Sequence, residues 1–432
     1  MTSKQGNIFP KKFSKEMNKV IETQAELQKD LDKVVNGRSI AFYPASSTAK
    51  ILSGIEHQRE KIGILKPSDE VDVILLCELN ERLRIMEGSI IVPNDTEFSY
   101  VKNLCKFGIT EDDVNSAVKF MRTLDFQTIA EELVEMSGES YERSPDNEST
   151  SKDCRTLHQK LLRVTYEVAS PGIKKIFPNF DEYAKTVEFG INGRSYQNKA
   201  NVVLYDSNAT IINIRNGLRF DRVIDIFQSA ELVGEEGLLG HQGQFLVTEA
   251  SNIPDFLKEG VARSSMVHAE ALGDLGSARL VSEIDRNPTL TEGVKPEHLE
   301  FLRKRSRAEE KRAFANIFLN AYESYFMLES NMNAEHTLEA IYSITKSPMV
   351  RSGELKNRIL ARYKSPTFWD NTNLSLEKWG YLLANMLSKK IDKRLENMGA
   401  ESREFILDHL QMGLWTKKGF ESYFDYLVEK FS

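Results

Sequence analysis

Apolar residues recur at intervals of three or four along most of this 432-residue chain, and this spacing limits the fold more than any other feature. Residues spaced in this way share one face of an α-helix, whereas a half-buried strand needs strict alternation. The pattern predicts helices over these segments: 12–35, 67–88, 110–133, 218–232, 296–330, 334–345, 351–363, 375–397, 400–412 and 417–431. The chain is therefore expected to be mainly α.

β-branched and aromatic residues form strand-like runs in one part of the sequence, between residues 186 and 250. The segments 201–205 (NVVLY) and 210–214 (TIINI) lie on either side of a polar turn. The segment 244–248 (QFLVT) is predicted to add a strand. Together these runs predict a small antiparallel β-element around 186–250.

The length and one polar stretch predict how the chain divides. A chain of this size commonly forms more than one domain. Residues 137–152 (SGESYERSPDNESTSK) have little apolar mass to offset the entropy of ordering, so they are predicted to be a flexible linker or exposed loop. The predicted organisation has two helical lobes, with an N-terminal lobe over 1–136, a mixed region containing the β-element over 153–295, and a C-terminal lobe over 296–432.

The composition is that of an ordinary globular protein, with 41% hydrophobic and 28% charged residues. No apolar run is long enough to cross a bilayer, and the first residues lack the apolar stretch of a secretory signal. We therefore expect no membrane association and a cytoplasmic location, in the producing cell or in a host cell. The three cysteines lack the spacing of a disulfide framework or a zinc site, and we expect reduced thiols.

Charge is distributed unevenly along the chain. The formal net charge of −7 combines +3 over residues 1–60, −14 over residues 61–300 and +4 over residues 301–432. An acidic centre between mildly basic ends suits an anionic ligand held by the ends alone, or association of ends with middles.

The densest basic segment is residues 302–314 (LRKRSRAEEKRAF), in which six of thirteen residues are Lys or Arg. On a helix of about 100° per residue, these cations fall in the same sector as the aromatic residues that follow, Phe314 and Phe318. We therefore expect the cations to point in the direction of the core, as the lip of a cleft. The alternative is that the helix kinks or begins later, or that the cations pair with acids from the acidic centre of the chain. The candidate anion-binding residues are Arg303, Lys304, Arg307 and Lys311.

A second basic cluster lies between residues 351 and 364, with aromatic residues close by in the sequence. Cations next to aromatic rings can hold phosphates and stack bases. The candidate residues in this cluster are Arg351, Lys356, Arg358 and Arg362. A structural alternative is a helix end at which basic side chains are favoured by the helix dipole.

No catalytic or metal-binding motif is predicted. The glycine-rich segment 234–243 (GEEGLLGHQG) lacks the Lys-Ser/Thr ending of a phosphate-binding loop, and we expect it to lead into the strand at 244–248. His241 is then a polar residue of that loop. His268 and Glu270 are expected on opposite sides of a helix turn, and the seven histidines are dispersed. The sequence predicts no metal and no cofactor.

One enzymatic alternative rests on the order of three residue types along the chain. Arg215 ends one predicted strand, Thr248 ends another, and Glu283 and Asp285 follow later. This order resembles that of many ADP-ribosyltransferases. The resemblance implies that arginine would position a dinucleotide such as NAD and that the acid would stabilise an oxocarbenium-like sugar. The hydroxyl motif is incomplete and the spacing is short.

The leading hypothesis is a non-enzymatic binding or assembly protein that holds an anionic polymer, single-stranded RNA, in a basic groove between two lobes. In outline alone, this architecture resembles that of viral nucleocapsid proteins, which are oligomeric nucleoproteins of the virion. Residues 1–14 and 415–432 would then be terminal arms for self-association. The alternatives are the nucleotide-directed enzyme described above and a helical protein–protein scaffold.

Overall fold

The computed structural model describes residues 9, 13–35, 45–91, 100–124, 128, 147–189, 199–205, 209–215, 226–261, 263–292, 294–329, 333–346, 357 and 372–431. The structure is mainly helical, which confirms the predicted class. The first five helices are α1 (Lys15–Val35), α2 (Ala45–Ile64), α3 (Glu70–Ile91), α4 (Tyr100–Leu104) and α5 (Glu111–Met121). Thr110 begins α5 with a reciprocal cap, in which its hydroxyl accepts from the Asp113 backbone N–H and Asp113 accepts from the Thr110 backbone N–H.

The described residues in the middle of the chain form three helices and three short strands. The helices are α6 (Asn147–Glu167), α7 (Pro171–Ile176) and α8 (Phe180–Thr186), and the strands are β1 (Glu188–Phe189), β2 (Lys199–Tyr205) and β3 (Ala209–Arg215). β3 pairs with β2 in antiparallel and with β1 in parallel orientation. The structure describes only the backbone pairing of these strands and not the side chains of β2 and β3. How the predicted β-element packs therefore stays a prediction. Residues 147–152 of the predicted linker are helical, whereas residues 137–146 lie outside the described residues.

In the second half of the chain, the secondary-structure elements of the described residues are all helical. Its helices are α9 (Ile226–Glu236), α10 (His241–Ala250), α11 (Met266–Arg286), α12 (Pro296–Glu329), α13 (Ala334–Thr345), α14 (Thr372–Leu395), α15 (Ala400–Leu410) and α16 (Lys417–Phe431). The predicted helices 334–345 and 417–431 coincide with α13 and α16. Among the described helices, none is long and apolar enough to span a membrane.

Two clusters of buried apolar residues hold these helices together. The first cluster joins α1–α5, the first half of α11, the second half of α12, and α13–α16. The second cluster joins α6–α10, the end of α11 and the start of α12. α11 contributes to both, with Ala271 and Leu275 in the first cluster and Leu280 and Ile284 in the second. The two clusters are therefore connected through continuous helices.

The buried face of α12 changes along the helix. Leu302 and Ser306 are buried near its start, where Leu302 belongs to the second cluster and the Ser306 hydroxyl bonds Glu231. Phe318 and Tyr322 are buried further on, in the first cluster. At about 100° per residue, these two faces lie on roughly opposite sides of the helix. α12 thus packs through one side and then through the other.

The segments predicted to be terminal arms pack inside the chain. Trp415 at the start of the C-terminal segment is fully buried, and its ring stacks on Tyr423 of α16 with centroids 4.7 Å apart. Phe9 is buried against the same two rings. The prediction that these segments extend as arms is wrong for Phe9 and for residues 415–431, because their aromatic side chains complete the first cluster.

A buried ion pair fixes the loops around this cluster. Arg82 and Glu78, both on α3, form an ion pair with Nε and Oε1 2.7 Å apart, and their side chains are almost fully enclosed. Arg82 also donates to the carbonyl oxygens of Phe256 and Leu414, while Glu78 accepts from the hydroxyl of Thr416 at 2.6 Å. The pair therefore satisfies loop backbone groups that have no helical partner.

Candidate metal centre

The glycine-rich segment 234–243 turns the chain sharply from α9 into α10. A Cβ atom at Gly240 would lie 1.8 Å from the Glu235 carbonyl oxygen, and one at Gly243 would lie 1.9 Å from the Leu238 carbonyl oxygen. Both positions therefore require glycine for close backbone approach. The turn brings His241, the first residue of α10, back towards Glu235 near the end of α9.

The expectation that 244–248 forms a strand is wrong, because these residues lie within α10. Their side chains contact the chain after α15. The Gln244 amide donates to the Gly413 carbonyl oxygen at 3.2 Å, and the Thr248 hydroxyl donates to the Gln411 carbonyl oxygen at 3.2 Å. These buried contacts fix a helix over residues whose local composition favours a strand.

Three metal-ligating side chains converge at this turn. Glu235, His241 and Glu270, the last of these on α11, each place a nitrogen or oxygen atom within 4.8 Å of the others. The His241 Nε2 and Glu270 Oε2 atoms are 3.8 Å apart, and these two side chains are 23% and 22% exposed. The group is therefore largely enclosed but still reached by solvent.

A glycine on α11 makes room beside the three side chains. A Cβ atom at Gly273 would lie 3.0 Å from the Glu235 Cγ atom and 3.1 Å from the His241 Cε1 atom. One turn further, Gly276 and Gly234 let α11 and α9 approach closely, because a Cβ at Gly234 would lie 2.5 Å from the Gly276 carbonyl oxygen and one at Gly276 would lie 2.3 Å from the Gly234 carbonyl oxygen. The site therefore lies where α9 and α10 pack against glycine residues of α11.

The carboxylates of this site have strongly raised pKa values. Burial raises the pKa of Glu270 to about 8, with further contributions from Glu235 and Asp274. Burial and then Asp274 raise the pKa of Glu235 to about 7. Burial lowers the pKa of His241 to about 4, so its imidazole is neutral at pH 7 and carries a free electron pair.

Residues of α14 form the neighbouring wall. Asp274, one turn after Glu270, accepts from the Asn385 amide at 3.1 Å and from the Ser388 hydroxyl at 3.4 Å. Burial nevertheless raises the pKa of Asp274 to about 6. The charge of Lys378 acts in the opposite sense on Glu270 and lowers its pKa. The site therefore gathers several acids and one neutral imidazole.

This donor set fits a divalent cation. Neutral imidazole nitrogen together with carboxylate oxygen is a common set for zinc and for other divalent transition metals. Three protein ligands leave coordination positions for water or a bound molecule, as in catalytic sites. The expectation of no metal site relied on the dispersion of histidines along the sequence, whereas folding brings residues 235, 241 and 270 together. A Glu-x5-His spacing inside a glycine-rich turn is the sequence signal that could have indicated it.

The predicted anion-binding residues of α12 are placed differently from expectation. Arg303 forms ion pairs with Asp285 and with Glu300, and its guanidinium lies over the Phe227 ring. Lys304, Arg307 and Lys311 are exposed. The prediction that the cations point towards the core is wrong for Lys304, Arg307 and Lys311, because their side chains are exposed. Their role in anion binding stays a prediction.

The other predicted residues are only partly accounted for. Arg351, Lys356, Arg358 and Arg362 lie outside the described residues. The residues that resemble the ADP-ribosyltransferase order do not present a strand hydroxyl, because Thr248 is buried in a helix. Glu283 pairs with Arg286 on the same helix.

No protein-family model matches the chain, and no curated protein shows significant similarity to it. The fold and the site therefore define the class on their own, a mainly helical protein with a carboxylate–histidine centre between its two apolar clusters.

Proposed function

We propose that the protein is a metal-dependent hydrolase that binds a divalent cation through Glu235, His241 and Glu270. The single observation that carries this proposal is the convergence of one imidazole nitrogen and two carboxylate oxygens within 4.8 Å. These atoms come from three consecutive helices, so folding itself assembles the ligand set.

The charges around the site favour a cation over a purely structural role. In the described part of the chain, neither Glu235 nor Glu270 forms an ion pair with Lys or Arg. Burying carboxylates is costly, and the raised pKa values of Glu235 and Glu270 express that cost even though the charge of Lys378 partly offsets it at Glu270. A divalent ion would compensate both charges. Gly273 contributes by letting the Glu235 and His241 side chains pack against the α11 backbone beside Glu270, since a Cβ there would lie 3.0 Å from the Glu235 Cγ atom.

Among the reactions that a divalent metal centre catalyses, hydrolysis needs only water as a second reactant. A divalent ion held by Glu235, His241 and Glu270 would supply a Lewis acid for a substrate oxygen and would lower the pKa of bound water. Water then supplies both new groups, because its hydroxyl joins the electrophilic atom and its remaining proton goes to the leaving group. The reaction needs no oxidant or reductant. The location between two clusters, with partial exposure, suits access by a small substrate.

Calorimetric titration of chelator-treated protein with Zn²⁺ and Mn²⁺ tests the binding step. We expect one ion per chain for at least one of these metals. Glu235→Gln and His241→Ala should each weaken binding by at least about a hundredfold, since each removes a ligand. Glu249→Gln and His336→Ala are matched controls, because both residues are exposed. Unchanged affinity in His241→Ala would overturn the proposal.

A panel of ester, amide and phosphoester substrates tests the catalytic step. Activity should be lost in EDTA and restored by the metal that binds most tightly. Metal binding in the native protein without any EDTA-sensitive hydrolysis across the panel would limit the site to a non-catalytic ion and would contradict the hydrolase proposal.

Binding of an anionic polymer such as RNA along α12 is a second proposal. It is supported by Lys304, Arg307 and Lys311, which are exposed within a sector of roughly 60° on successive turns. Titration of a labelled single-stranded RNA at increasing salt tests it. Lys304→Glu combined with Arg307→Glu should weaken binding and reduce the salt slope by about 2, as expected for two lost phosphate contacts. An unchanged affinity and slope would refute it.

A further inference from the structure

The wall that faces the metal centre has a defined register, because α11 and α14 run side by side in the same direction. Arg263, just before α11, forms an ion pair with Glu377, and a Cβ at Gly380 would lie 3.1 Å from the Met266 sulfur. Further along, Asp274 pairs with Asn385 and Ser388, which are 111 and 114 residues away in the sequence. As residue numbers rise along α11, the residues they contact on α14 also rise in number, so the two helices are parallel.

This register places Tyr381 opposite Glu270. Tyr381 precedes Asn385 by four residues, and Glu270 precedes Asp274 by the same interval, so each lies one helical turn before a hydrogen-bonded partner. The Lys378 ammonium lies 5.1 Å from the centre of the Tyr381 ring and covers that ring. The register therefore places Tyr381 on the turn of α14 that lies beside Glu270.

The electrostatic environment keeps this phenol protonated. Burial raises the pKa of Tyr381 to about 12, and the charges of Glu270 and Glu235 act in the same direction. A tyrosine hydroxyl is in any case protonated at neutral pH. At neutral pH it is therefore a hydrogen-bond donor.

We propose that the Tyr381 hydroxyl donates a hydrogen bond to the oxygen of a molecule bound at the Glu235–His241–Glu270 site, and that the substrate is a carbonyl compound, an ester or amide. This inference rests on the proposed function. When water adds to a carbonyl carbon, the carbonyl oxygen gains negative charge. A hydrogen-bond donor beside the metal site would stabilise that oxygen. In that addition the new bond is carbon–oxygen and the carbonyl π electrons move to the oxygen. Their return breaks the bond to the leaving group, which departs with a proton derived from water.

Acetohydroxamate binding to the Co²⁺-loaded protein tests this role without relying on turnover. Hydroxamates chelate a metal ion through oxygen atoms, and the visible absorption of Co²⁺ reports both metal binding and chelation. We expect Tyr381→Phe to bind Co²⁺ within about twofold of the native protein but to bind acetohydroxamate about tenfold more weakly, the effect of one lost hydrogen bond. Tyr342→Phe is the matched control, because Tyr342 also lies beneath a lysine, with the Lys346 ammonium 5.7 Å from its ring centre.

The outcomes separate the two proposals. A native protein that does not bind Co²⁺ would overturn the proposed function. A native protein that binds Co²⁺ while Tyr381→Phe retains full acetohydroxamate affinity would overturn the role of Tyr381 alone. Loss of Co²⁺ itself in Tyr381→Phe would also overturn it, since the residue would then support the metal and not the ligand.

Discussion

Replacing Glu270 with Gln tests whether the carboxylates of the metal centre carry an electrostatic cost. The pKa of Glu270 is raised from 4.5 to about 8, chiefly by burial. A carboxyl group with a raised pKa holds its proton more tightly in the folded than in the unfolded chain. The free energy of unfolding of the metal-free protein therefore falls as pH rises from about 4.5 to about 8.

The expected size follows from this pKa difference. Each pKa unit corresponds to about 1.4 kcal/mol, so the limit for this residue is about 4 to 5 kcal/mol at pH 8. The Glu270 side chain is 22% exposed, so solvent screens part of this free energy. Its titration is also linked to that of Glu235 and Asp274, so the cost is divided among the three acids. We expect Glu270→Gln to stabilise the metal-free protein by about 2 kcal/mol at pH 8, and by less than about 0.5 kcal/mol at pH 5.

Urea denaturation followed by circular dichroism in EDTA, at pH 5 and pH 8, measures this difference. Glu249→Gln is the control, since that exposed carboxylate should change stability little at either pH. Adding the tightest-binding metal should stabilise the native protein and leave Glu270→Gln nearly unaffected. Destabilisation at pH 8, or an equal effect at both pH values, would refute the electrostatic reasoning.

Three further predictions address other parts of the molecule. Gly273→Ala places a methyl group against Glu235 and His241, so metal affinity measured by calorimetry should fall at least about tenfold while the helical circular dichroism signal is kept. Arg82→Met leaves its buried carboxylate partner unpaired and should cost about 3 to 5 kcal/mol in urea denaturation; a cost below 1 kcal/mol would contradict the described network. Trp415→Ala removes a fully buried ring and should cost about 3 to 5 kcal/mol in the same assay, whereas an extended arm would tolerate the change.

Local signals were sufficient for much of the helical structure. Thr110 followed by three acids predicts the start of α5, and the structure shows the corresponding cap. Pro296 predicts the start of α12, which begins at that residue. Such signals depend on neighbours within one or two turns, which the sequence displays directly.

The site depended on information that local patterns do not contain. The segment 244–248 has the composition of a strand, but buried contacts with residues 411 and 413 hold it in a helix. Glu270 joins the metal centre only because the glycines of α9 and α11 allow the helices to approach closely. The orientation of Lys304 and its neighbours was missed for a related reason, since the helical angle fixes a sector but not which side of the helix meets a partner.

The two apolar clusters share α11 and α12, and this determines how the protein responds to chain cleavage and to denaturation. If one cluster unfolds, part of α11 or α12 unfolds with it, and the other cluster also needs those helices. Cleavage of the chain between the two helices should therefore not release halves that fold independently, and denaturation should follow a single cooperative transition for both clusters. An ion held at their junction would protect the whole assembly, because its ligands come from both sides.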